Sequence, residues 1–220
     1  MGKVRAVRAR ILFLLIATGL VCGSGSEAAP AGKKVLRAAL VSSTPVIDGD
    51  LSDSVWRQAG GSGGFVNEEG GAPASQPTLV YALSDADHLY LAFRCAEPRP
   101  SEMRALITVD NGSVWGDDCV EFNFDPTGGC QQIYQLTVNS IGAKELVLRG
   151  YSHLDVSLVQ AAARVGQGQW TVEIALPFAA LGIRRSSQVE MHWRVNFERL
   201  RTIGGEEDDD WQSTAGDWAN

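Results

Sequence analysis

The sequence predicts an all-β chain: an antiparallel β-sandwich of jelly-roll-like form with one or two short helices. Three observations lead there. Apolar and polar residues alternate at period two in several separate stretches, 24 glycines punctuate the chain, and no stretch sustains a long helical period. Successive side chains on a strand point to opposite faces, so alternation marks a sheet with one buried face. Many short strands between turn signals mark a sandwich.

Taken in order, residues 78–83 (TLVYAL) are rich in strand formers and residues 84–87 (SDAD) read as a turn. Residues 88–94 (HLYLAFR) then put Leu89, Leu91 and Phe93 on one face, completing a hairpin. Further on, Val120, Phe122 and Phe124 alternate with Glu121, Asn123 and Asp125, and residues 126–129 (PTGG) end that strand. Residues 133–138, 170–176 and 190–197 read as three more. Trp56, Trp170 and Trp193 fall within apolar periodicity and are assigned to the core. Two short helices are expected. Asp50 caps a turn in which Leu51, Val55 and Ala59 share a face. Residues 177–181 form a one-turn element with Pro177 at its start and Gly182 past its end. The acidic run from Glu206 to Asp210 reads as a loop.

The first ten residues carry Lys3, Arg5, Arg8 and Arg10 and no acid; an apolar run from Ile11 to Val21 follows, then small residues ending at Ser26, Glu27 and Ala28. That order is the layout of a secretory signal peptide over residues 1–28, and the apolar run is short for a membrane span. Residues 29–34 read as a tether and 35–220 as one domain. A lipid anchor on Cys22 is less favoured, because Val21 stands where a small residue is wanted. Removing residues 1–28 takes away four of 19 basic and one of 26 acidic residues, so the net charge moves from −7 to −10 over 192 residues. So negative a chain disfavours nucleic acid and anionic lipid and suits a neutral partner or a cation; a monomer is expected. Cys95, Cys119 and Cys130 then remain, and their spacing selects no pairing and no zinc site.

Trp115 lies in a polar, glycine-flanked loop that enters the strand bearing Glu121. An exposed indole beside a carboxylate suits a sugar: C–H faces stack on the ring while hydroxyls donate to carboxylate oxygens. The competing reading packs Trp115 on the sandwich rim and leaves Glu121 a solvated strand residue. Trp211 and Trp218 flank a polar stretch near the C-terminus and either could supply a second plate, with edge packing favoured for Trp218. Asp48 with Asp50 and Asp117 with Asp118 are weak candidates for a structural calcium, which needs several converging oxygens. Asp85 and Asp87 read as ordinary turn aspartates. No catalytic element is legible: there is no G-x-S-x-G, no Gly-rich phosphate loop, and His88, His153 and His192 are isolated.

Together, residues 46–56 (VIDGDLSDSVW), 85–94 (DADHLYLAFR), 115–122 (WGDDCVEF), 134–139 (YQLTVN), 170–177 (WTVEIALP) and 193–197 (WRVNF) followed by Trp211 resemble carbohydrate-binding module family 9 in its standalone form. The resemblance spans most of residues 36–218. It implies non-catalytic carbohydrate binding, with a role in polysaccharide breakdown. Trp115 would be one plate, Trp211 the other, Glu121 a hydroxyl-binding carboxylate and Asn196 a weaker polar contact. It also implies a structural calcium and no required cofactor. The family's domain continues past its last tryptophan into a further strand, so the last β-element here is expected to be incomplete. The competing expectations are a haem-binding sandwich, for which Met103, Met191 and His192 are the axial candidates, and a purely structural envelope domain.

Overall fold

The computed structural model describes residues 33–69, 71–129, 132–148, 153–183 and 191–212. The signal-peptide reading of residues 1–28, Cys22, the start of the tether, Cys130 and Trp218 all lie outside the described residues.

The alternating stretches become two sheets. In chain order the strands are β1 (Ala39–Leu40), β2 (Gly61–Ser62), β3 (Val66–Asn67), β4 (Thr78–Ser84), β5 (His88–Ala96) and β6 (Cys119–Asp125). They continue with β7 (Tyr134–Asn139), β8 (Lys144–Leu148), β9 (Gln160–Val165), β10 (Gln169–Pro177), β11 (Arg194–Arg201) and β12 (Glu207–Asp210). One sheet has the order β1-β4-β5-β10-β9, with β2 also paired to β4; the other runs β3-β12-β11-β6-β7-β8. Every pairing is antiparallel except that of β1 with β4.

The inner faces meet in one core. Val80, Leu91, Phe93, Val172 and Ile174 from the first sheet face Val120, Phe122, Phe124, Leu136 and Phe197 from the second. Phe122 stacks on Phe124 at 4.3 Å and on Phe197 at 5.3 Å, and Phe93 meets Phe197 edge-on. Such aromatic pairs add to the large area each ring removes from water. Trp170 lies in this core and Trp193 packs against it, stacked on Phe124 at 5.4 Å. A smaller cluster covers the outer face of the first sheet, where Val41, Val55 and Trp56 pack on Leu83, Tyr90 and Ala92.

Several expectations need correction. The helix assigned to Asp50 is a 3-10 turn at Ser54–Gln58. Asp50 instead accepts the Ser52 N–H, so it closes a turn upstream of the helix. The element after Pro177 is present as a 3-10 turn, Phe178–Leu181, ended by Gly182 at φ +67°. The strand expected over residues 190–197 begins only at Arg194 and runs on to Arg201. The acidic run is a strand, β12, held by β11 on one side and β3 on the other. Its backbone pairing outweighs the poor strand propensity of Asp.

At one end of the interior the core turns polar. Glu97, fully buried, accepts from Arg201 Nε at 2.7 Å and from Arg199 Nη2 at 3.3 Å. Asp209 points inward from β12, because its register partner Arg199 shares the face of Val120.

Candidate functional site

Strand register decides where the candidate side chains stand. Glu121 lies opposite Thr137 on β7 and Glu198 on β11, and Asn123 lies opposite Gln135 and Asn196. Directly opposed residues share a face, so these six form one polar array on the outer side of the second sheet. Phe122 and Phe124, one step along, point into the core. The array is closed upon itself. Glu121 accepts from Gln135 Nε2 at 2.8 Å and Thr137 Oγ1 at 3.3 Å, and Glu198 accepts from Asn123 at 2.8 Å. Asn196 donates to Asp210 at 3.2 Å and accepts the Gln212 N–H at 3.0 Å. Glu121 and Asn196 are each 1% exposed. They share a sheet face but sit beneath the surface.

Trp115 is 50% exposed on the 3-10 turn Val114–Gly116 at the entrance to β6. The turn is fixed by its neighbour Asp117, which donates its N–H to Val114 O. Asp117 Oδ1 accepts from Leu106 N at 2.9 Å, and Oδ2 accepts from Ile107 N at 2.8 Å and Asn139 Nδ2 at 3.0 Å. Asp118 accepts from Arg104 N and from both the N–H and hydroxyl of Thr202. The two aspartates thus clamp residues 104–107 beside the turn that presents Trp115. That clamp places exposed Leu106 and the half-exposed Arg104, whose Nε is 3.7 Å from Asp117, at the same end of the sheet. Neither residue was legible as part of a site. The only local signal was the Asp117–Asp118 pair, which suggests a cation by residue type alone.

Trp211 does not face Trp115. It is 2% exposed and belongs to the core between the sheets, with its ring edge-on to Phe197 at 5.4 Å and its indole N–H donating to Ser62 Oγ. Lys34 donates to its carbonyl and lies over the ring, 5.7 Å from the centroid. In the sequence Trp211 reads as a candidate exposed plate because its local neighbours are polar. The apolar partners come from β11 and the opposite sheet.

The aspartates read as calcium ligands do not fit an ion. Those of Asp117 and Asp118 are filled by N–H and O–H donors, Asp48 accepts the Asp50 N–H, and Asp50 engages Ser52 and Arg164. Among the described residues no three His, Cys, Asp or Glu side chains converge on a metal position. The core does not fit haem either. Its interior is filled by aromatic rings, Met103 packs partly buried against it, and His192 is exposed. Cys95 and Cys119 are buried free thiols, and burial pushes Cys95 up to about 11. Asp85 is the turn residue expected of it, accepting from Asp87 N, His88 N and the Tyr90 hydroxyl. Among the described residues no helix is long and apolar enough to cross a membrane.

No family model matches the chain, and no curated protein matches it. Solved structures do. A candidate carbohydrate-binding protein from Bacteroides uniformis superposes with a TM-score of 0.66 at 18% identity, over 81% of this chain and 89% of that one. A carbohydrate-binding module of family 9 from Caldicellulosiruptor kristjanssonii in complex with cellotriose gives 0.57 at 15% identity, over 83% and 88%. A family 9 module from the same organism in complex with glucose gives 0.56 at 16%, over 84% and 91%. The chain therefore has a fold like that of carbohydrate-binding module family 9.

Proposed function

We propose that this chain is an exported, monomeric, non-catalytic carbohydrate-binding sandwich that takes a sugar against Trp115 and serves polysaccharide breakdown. The observation that carries the reading is the setting of Trp115. It is a half-exposed indole on a turn pinned by Asp117, at the entrance to the strand that carries Glu121 and Asn123. An indole face stacks on the C–H face of a pyranose, and the Arg104 guanidinium, held near Asp117, supplies N–H donors to sugar hydroxyls. The fold-level likeness to modules solved with cellotriose and glucose directs the choice of test ligand toward glucans. In this reading Trp115 acts as a single plate, since the Trp211 ring is enclosed.

The test is a fluorescence titration with cello-oligosaccharides and xylan, backed by a glycan array. Tryptophan quenching that disappears in Trp115→Ala is expected. A flat titration together with an array lacking any neutral-glycan hit would overturn the proposal. The second reading, a purely structural envelope sandwich, is favoured by the burial of Glu121, Asn196 and Trp211, and the same flat titration is its expected result.

A further inference from the structure

The opposite sheet carries a second cleft, of about 390 Å³, lined by Asp50, Ser52, Arg94, Arg164, Gln169 and Thr171. Thr171 on β10 pairs with Arg94 on β5 and Arg164 on β9. The three side chains therefore leave one face of the sheet in a row, with the two arginines about two strand spacings, roughly 9–10 Å, apart at the backbone.

The wall of the cleft is built to hold its shape. Glu173, fully buried, accepts the Asp48 and Gly49 N–H groups at 3.0 and 2.8 Å. Thr171 Oγ1 donates to Gly49 O at 2.6 Å, and Arg164 pairs with Asp50. Gly49 has φ +83°, and a Cβ there would come within 2.8 Å of the Ala163 carbonyl carbon. Only glycine lets the wall lie this close to β9.

The charge in the cleft runs against that of the chain. Arg164 is engaged by Asp50. Arg94 is exposed, lies over the Tyr81 ring at 5.7 Å, and makes no ion pair among the described residues. Of the lining side chains two are guanidiniums and one is a carboxylate, on a chain of net charge −7, with the Glu173 carboxylate buried behind the wall. A guanidinium fork matches a carboxylate with two parallel hydrogen bonds. The Gln169 amide and the Ser52 hydroxyl supply neutral donors and acceptors, and the volume suits one or two sugar rings.

We infer that this cleft is a second binding site, for a carboxylate-bearing sugar, with Arg94 holding the carboxylate. The site is separate from Trp115 and stands or falls independently of it. The test is calorimetric titration at low salt with galacturonate, trigalacturonate, the galacturonate methyl ester and sulfate. Binding of either uronate is expected, the monomer alone indicating a single residue and the trimer alone a polymer segment. Arg94→Gln should weaken it about tenfold or more, Arg164→Gln should weaken it less, and Trp115→Ala should leave it within about twofold. The methyl ester should bind wild-type protein at least about tenfold more weakly, which tests the carboxylate without a variant. No uronate binding, an ester that binds equally well, sulfate that binds as tightly as the uronate, or loss of uronate binding in Trp115→Ala would each overturn the inference.

Discussion

The Trp56 indole N–H donates to Glu173 Oε1 at 2.6 Å across 117 residues of chain, and Oε2 of the same carboxylate takes the N–H groups of Asp48 and Gly49. One fully buried side chain thereby ties the segment 48–56 to β10 of the first sheet. Burial pushes the Glu173 carboxyl upward, while its three N–H donors pull it down. Glu173→Ala would leave three donors without an acceptor and is expected to cost about 2–4 kcal/mol. Urea unfolding measures it directly; a change below about 0.5 kcal/mol would contradict the tie.

Asp209 presents the reverse situation. It is 1% exposed, and neither carboxylate oxygen has a hydrogen-bond partner among the described residues. Burial, and then the charge of Glu207, push its carboxyl up to about 7, against the pull of Arg199. In the unfolded chain an aspartate titrates near about 3.9. The folded state therefore holds the proton more tightly. The stability this confers is full below about pH 4 and is lost as pH rises through about 7. Asp209→Asn should stabilise by roughly 2–4 kcal/mol at pH 8 and show no gain at pH 4. Paired denaturant melts at the two pH values check it.

Glu97 shifts the other way. Burial alone would raise its carboxyl, but the hydrogen bonds from Arg201 and the Arg99 N–H, and the charges of Arg201 and Arg199, bring it below the ordinary value. Its stabilisation is thus present above the usual glutamate range and is lost as pH falls through the lowered folded value. Glu97→Gln leaves two buried guanidiniums undercompensated and should cost about 3–5 kcal/mol at neutral pH. The loss should shrink toward acid pH, which a stability profile from pH 7 to 3 would reveal.

The clamp at Asp117 can be tested without any sugar. Asp117→Ala releases the Leu106 and Ile107 N–H groups and the Asn139 amide. Amide exchange at residues 106 and 107 should accelerate by about tenfold or more, since each loses the acceptor that protects it. Unchanged exchange there would mean that the loop is held by something else.

Trp115 and Trp211 should separate cleanly by stability. Trp211→Ala empties a core position and is expected to cost about 3–5 kcal/mol. Trp115→Ala removes a half-exposed ring and should stay within about 1 kcal/mol. Chemical denaturation of the two variants side by side is the measurement.

Most of the strand framework was legible in the sequence. The hairpin of β4 and β5, the strand β6 with its apolar and polar sides, and β10 all follow from period-two alternation, because one sheet face must bury apolar area. Alternation is silent for β12, whose residues are all acidic, and for β9, an edge strand (QAAARV) with small apolar residues. Both are strands because a neighbour offers backbone hydrogen bonds, a property of the pairing and not of the segment. The exposure of Trp115 was readable from its polar, glycine-flanked surroundings. The core position of Trp211 was not, since Phe197 and Ser62 reach it from other strands.

By itself the sequence determined which residues alternate, where the chain turns, and that the product is an all-β sandwich. Only the tertiary structure decided what the polar faces do. It turned Asp117 and Asp118 from candidate ion ligands into backbone clamps, closed Glu121 and Asn196 into a buried array, and set Arg94 and Arg164 on either side of Thr171. The physical reason is that a local pattern fixes only which way a side chain points. Hydrogen-bond partners and access to water depend on residues brought from far along the chain.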